Sequence, residues 1–116
     1  MACPIRVGLF AILALESCGS APPRIGVDLH GPVHQVQADF DQRVRTRFPI
    51  GSDEAVLHNE LMRERFVITR DKDSPFIFSA RYYSSNIACR TNWTIRWSVF
   101  AGRVADIAGY WGQTCL

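Results

Sequence analysis

The sequence predicts an α+β fold, with two N-terminal helices packed on a small antiparallel sheet of about four strands and closed by a C-terminal disulfide-pinned hairpin. Three observations in the 116-residue chain predict it. Apolar residues recur every four positions from Val36 to Phe48, which is a helical period. From Phe66 onward the period drops to two, which is a strand period. The last two strands then set Cys89 opposite Cys115, and a bond between them fixes the end of the sheet.

The elements follow in order. The apolar run Val7–Leu15 comes after an early charge, Arg6, and ends at Leu15-Glu16-Ser17-Cys18. It is shorter than the roughly 20 residues that a membrane-spanning helix needs, and a short run with a basic start fits a secretory segment. A small residue before cysteine completes the pattern of a bacterial lipoprotein signal, although Glu16 stands where a small or uncharged residue is usual. Residues 1–17 are therefore expected to be removed, leaving Cys18 as an acylated N-terminus. Two alternatives are a plain secretory signal cut near Gly19-Ser20-Ala21 and a buried core helix. Residues 18–35 carry Pro22, Pro23, Pro32, Gly19, Gly26 and Gly31 without apolar period, and read as a tether. From Gly19 to about His34, roughly 16 residues at up to ~3.1 Å each, fully extended, would hold a domain of residues 36–116 some tens of ångströms from the bilayer.

Val36, Phe40, Val44 and Phe48 form one stripe of the first helix, acidic near its start and basic near its end as the helix dipole favours. Pro49 and Gly51 stop it. Ser52 is the expected N-cap of the second helix, with Asp53 and Glu54 in its first turn and Val56, Leu57 and Leu61 on its apolar face to about Arg65. The short link favours a helical hairpin. Phe66-Val67-Ile68-Thr69 is a short strand, and Asp71-Lys72-Asp73-Ser74-Pro75 is turn chemistry. Phe76 to Tyr83 is a second strand, interrupted at Ser84-Ser85-Asn86. In the third, Cys89, Thr91, Trp93, Ile95, Trp97 and Val99 alternate with polar residues. A turn centred on Gly102 sets Trp93 opposite Trp111, Trp97 opposite Ile107 and Cys89 opposite Cys115, all on the core face. The other face then carries Arg90, Asn92, Thr94 and Arg96, with Asp106 diagonal to Arg96 as an ion-pair partner.

Of the four cysteines, Cys3 leaves with the signal and Cys18 takes lipid. Cys89 and Cys115 remain as a pair, for which an exported location makes a disulfide the default. Such a bond contributes on the order of 3 kcal/mol, mostly by restricting the unfolded chain. A structural bond is favoured over a catalytic one, because the spacing is not C-x-x-C and no helix N-terminus activates either thiol.

A net charge of +2 argues against nucleic acid as a partner. Two separated cysteines and the scattered His30, His34 and His58 lack metal-ligand spacing. Asp71-Lys72-Asp73 begins like a calcium loop, but Pro75 takes its fifth position and neither the glycine nor the closing glutamate follows. No nucleophile–histidine motif occurs, so no catalytic residue, metal or cofactor is expected and the domain is read as non-enzymatic. Asn92-Trp93-Thr94 matches a glycosylation acceptor by chance. Arg43, Arg45 and Arg47 are the candidate partner-binding residues, for acidic groups or phosphate-bearing headgroups. A solvated helix end is the plainer reading of the three. Tyr83 and Tyr110 are candidates to line a binding edge.

The order helix–helix–strands, the cysteine with its Pro-rich tether, and Gly51-Ser52-Asp53-Glu54-Ala55-Val56-Leu57 as a glycine-led start of a helix resemble the small outer-membrane assembly lipoproteins of the SmpA/OmlA type. The resemblance spans about residues 48–111. It implies two helices against an antiparallel sheet and an accessory role in the envelope, with an envelope protein as partner and no catalytic residue. The closing disulfide hairpin is more similar to that of small lipoproteins from GC-rich proteobacteria. Gly19 after the cysteine, in place of aspartate, implies sorting to the periplasmic side of the outer membrane, the alternative being a secreted or periplasmic soluble protein. The expected function is a lipid-anchored binding or scaffold module. The alternative is an inhibitor of an exported hydrolase, which a loop of the sheet would present to an active-site cleft.

Overall fold

The computed structural model describes residues 21–116; the segment expected to be a signal and the expected acylation site Cys18 lie outside them. A single 3-10 turn at Arg24–Gly26 precedes two helices, α1 (Val33–Arg47) and α2 (Glu54–Arg63). Four strands follow, β1 (Val67–Arg70), β2 (Ile77–Ser85), β3 (Cys89–Phe100) and β4 (Arg103–Cys115). They form one antiparallel meander in the order β1-β2-β3-β4.

The third and fourth strands carry the expected register, with Cys89 opposite Cys115, Trp93 opposite Trp111 and Trp97 opposite Ile107. The turn itself is tighter than expected. Phe100 pairs with Arg103 around Ala101-Gly102, both at positive φ, and a bulge at Ser98/Val99 makes up the offset. The register of the long hairpin therefore survives although its turn centre moves.

The core lies on one face of the sheet. Ala80, Tyr82, Trp93, Ile95, Trp97 and Ile107 point into it, and Phe40, Val44, Leu57 and Leu61 meet them from the helices. At β4 the helix comes close because Gly109 has no side chain. A Cβ there would stand 2.9 Å from Val44 Cγ2 and 3.2 Å from the Cα of Asp41. The expected helical hairpin is not what forms, since α1 lies along β4 and α2 lies beside β1. The helices meet at their ends, where Arg47 pairs with Glu60 at 2.8 Å and with Glu64 at 2.6 Å.

Asp53, not Ser52, caps α2, accepting from the amide of Ala55 at 2.9 Å. Ser52 is drawn away because its amide carbonyl accepts from Val104 N while Gly51 N donates to Val104 O. The interhelical turn thus extends the start of β4, with an isolated bridge from Asp53 to Arg103. At the other end of α2, Arg65 takes the left-handed conformation (φ 68). Arg65 N then donates to Met62 O and Phe66 N to Leu61 O, a Schellman closure that turns Phe66 into the core beside Leu61.

The stretch read as a tether is in part packed. Pro23, Ile25 and Gly26 are buried, and Ile25 belongs to the core. Gly26 lies so close to Trp93 that a Cβ would fall 2.4 Å from the indole nitrogen. Ile25 N donates to the Glu64 carboxylate at 2.9 Å, and the Tyr82 hydroxyl donates to Ala21 O at 2.8 Å. The first helix also begins at Val33, inside the segment assigned to the tether.

Candidate functional site

Two layers of structure leave one sheet face uncovered among the described residues. Side chains alternate along each strand, so the residues between the core positions point away from both helices. On β2 these include Ile77, Ser79, Arg81 and Tyr83; on β3 Arg90, Asn92, Thr94, Arg96 and Ser98; on β4 Asp106, Ala108, Tyr110 and Thr114. Arg81, Thr94 and Tyr110 form one row across the strands, and Ser79, Arg96 and Ala108 the next. Three arginines and two tyrosines thus face solvent with Asp106 as the acidic side chain on these strands. Arg96 does not pair with Asp106 as expected. Its guanidinium meets Asp71 of the β1–β2 loop at 3.5 Å, while the Asp106 carboxylate accepts from the amide of Ile107. A shallow depression of about 260 Å³ lies between Arg96, Asp106 and Tyr110.

At the disulfide end the same face opens into a larger depression of about 460 Å³, lined by Tyr83, Ile87, Arg90, Asn92, Thr114 and Leu116 among others. Arg90 lies over the Tyr83 ring with its guanidinium carbon 4.2 Å from the centroid, a cation–π contact. Asn92 Oδ1 is enclosed there with no hydrogen-bond donor among the described residues. Asn86 folds the β2–β3 connection by accepting from the amides of Ala88 and Cys89, which leaves Ile87 at the tip, 98% exposed.

Cys89 and Cys115 are bonded, closing this end. Gly109 N and Trp111 N point out to α1, so residues 95/109 and 93/111 are non-hydrogen-bonded pairs. By the two-residue period Cys89/Cys115 is another, the pair type in which facing side chains come closest. The bond lies past the core: Cys89 is half-buried and Cys115 exposed.

The three helix-end arginines are turned inward or along their own helix. Arg43 donates to the carbonyls of Ile25 and Val27, holding the N-terminal segment. Arg45 pairs with Asp41 at 3.0 Å, and Arg47 with Glu60 and the buried Glu64. Arg43 and Arg47 share an open depression with Asp39, Gln42 and Thr46, and Arg45 lies outside it. His30 and His34 are exposed, and His58 sits between Glu54, at 3.5 Å, and the edge of the Phe78 ring. Among the described residues no three histidine, cysteine or carboxylate side chains come together as metal ligands, and no helix is long and apolar enough to cross a membrane. Asp71 and Asp73 form an Asx turn, Asp71 accepting from Asp73 N at 3.0 Å.

Sequence reasoning missed Gln37 and Asp41. Both read as the solvated side of α1, yet Gln37 donates to Gly109 O and accepts from Trp111 N, and Asp41 accepts from Gly109 N. Their four-residue spacing opposite a strand glycine was the available signal. Compared with protein-family models, with curated proteins and with solved structures, the chain matches none.

Proposed function

We propose that this domain is a binding module of the bacterial cell envelope, carried on an acylated Cys18 at the periplasmic side of the outer membrane, and that its uncovered sheet face receives an acidic surface of a protein partner. The observation that carries this reading is the face itself. Arg81, Thr94, Arg96 and Tyr110 lie in adjacent rows on an uncovered layer. Arginine and tyrosine are the side chains enriched at protein interfaces, supplying broad contact with a polar tip. The lipoprotein pattern at Cys18 and the bonded Cys89–Cys115 pair both suit an exported protein. The sheet face is favoured over the helix end as the docking surface, because Arg43 holds the Ile25 carbonyl and Arg47 the buried Glu64, whereas Arg96 meets Asp71 only in an exposed contact at 3.5 Å.

In-cell photo-crosslinking of the full chain tests the reading. A photoreactive residue at Tyr110 is expected to capture one discrete protein. Arg81→Glu with Arg96→Glu should abolish the capture, and Arg45→Glu should leave it intact. Recovery of abundant lipoproteins only, unchanged by the charge reversals, would sink the proposal.

A further inference from the structure

We infer that the disulfide end of the domain, with Ile87 and Leu116 at its tip and Arg90 beside them, is a contact surface for the phosphate-bearing headgroups of the membrane that anchors it. The inference rests on acylation of Cys18.

The length of chain between anchor and fold carries the argument. Ala21 is already held, its carbonyl accepting from the Tyr82 hydroxyl, and the chain beyond it enters the core at Ile25. Only Gly19 and Ser20 separate Ala21 from Cys18, a span of no more than roughly 11 Å at ~3.6 Å per residue. The bilayer surface therefore passes close to the row of Tyr82 and Trp93. From that row the disulfide end lies about 13 Å along β3 and the hairpin tip at Phe100 about 23 Å away, at ~3.3 Å per residue. The nearer end is the one a short anchor brings to the membrane.

The chemistry of that end agrees. Ile87 is 98% exposed, and Leu116 is exposed beside the same depression. No acidic side chain lines it. Arg90 stacked on Tyr83 places a cation and an amphipathic ring at one level, the pairing that suits the headgroup region, where aromatic rings and guanidinium groups settle. A contact of apolar and basic character adds to an acyl anchor, at about 1 kcal/mol for each arginine near an anionic surface.

The test uses the full chain, processed in cells and recovered in vesicles of phosphatidylethanolamine and phosphatidylglycerol, with a photoreactive residue at Ile87 or, separately, at Phe100. Mass spectrometry reads both the acyl group on Cys18 and the adducts. Lipid adducts are expected at 87 and absent at 100, and Arg90→Glu should lower the yield at 87 roughly tenfold. An acylated Cys18 with no lipid adduct at 87, or with equal adducts at both positions, overturns the inference and leaves the anchored reading standing. An unmodified Cys18 overturns both. An unchanged yield in Arg90→Glu overturns the headgroup contact as well, because Arg90 is the cationic side chain lining this end.

Discussion

Glu64 shows how single residues settle this fold. Its side chain is 4% exposed, and its two oxygens are divided between the amide of Ile25 and the guanidinium of Arg47. One carboxylate thereby joins the N-terminal segment, the end of α1 and the end of α2. The contact with Arg47, at 2.6 Å, is an ion pair without hydrogen-bond alignment. Gly109 acts by what it lacks. Gly109→Ala would set a methyl against Val44, Phe40 and the backbone of Asp41, and backbone cannot rotate aside. We expect a loss of about 1–3 kcal/mol in urea unfolding, as for overpacked cores. Gly112→Ala on the same strand meets nothing within 4 Å and should change stability by less than about 0.5 kcal/mol. Equal effects at the two positions would contradict the close approach. At this scale the sequence was legible where a side chain obeys a period. Val36, Phe40 and Val44 are the buried residues of α1, as their spacing predicts. It was not legible where a polar side chain has a distant backbone partner. Glu64 and Ile25 lie 39 positions apart, and no local pattern records such a bond.

At the level of elements, β4 poses the main physical problem, because an edge strand exposes unpaired amides and carbonyls. Its start is paired by the turn between the helices, through Gly51 and Ser52, while Glu54 N donates to Gly102 O in the turn before it. Its middle is covered by Gln37 and Asp41, which reproduce with side chains the bonds another strand would make. Asp41→Ala leaves Gly109 N without its acceptor and should destabilise the domain by about 1–3 kcal/mol, with faster amide exchange at Gly109. Arg45→Ala removes only the exposed ion pair to Asp41 and should cost no more than about 0.5 kcal/mol. If the two variants unfold alike, the carboxylate serves its salt bridge and not the strand edge. Element identity and strand pairing were readable from period and turn residues, since a two-residue period leaves few registers that bury Trp93 and Trp97 together. The partners of the helices were not readable. A short link says that α1 and α2 are near in sequence, but Gly109 decides which surface α1 approaches.

For the whole molecule, the main departure from expectation is that the domain begins before its first helix. Proline and glycine between residues 18 and 35 have the composition of a linker, and a lone Ile25 shows no period, so the segment reads as reach. The same residue types also build a compact turn. Pro23 O accepts from Gly26 N, which tightens the chain so that Ile25 enters the core and Gly26 fits flat on Trp93. The segment therefore stabilises the fold and also fixes where an anchored chain leaves it. A protein beginning at Leu29 would lose Ile25 from the core and uncover Trp93 and the Glu64 carboxylate. Burial of one isoleucine alone accounts for about 2–5 kcal/mol. The shortened chain should unfold at clearly lower urea than one beginning at Gly19, with indole emission shifted to the red before unfolding. Ile25→Ala in the longer chain should reproduce most of the loss without moving the emission as far, because Gly26 still covers Trp93. Coincident unfolding curves for the short and long chains would show that residues 21–28 are a tether after all, and would remove the short-anchor premise of the proposed membrane contact.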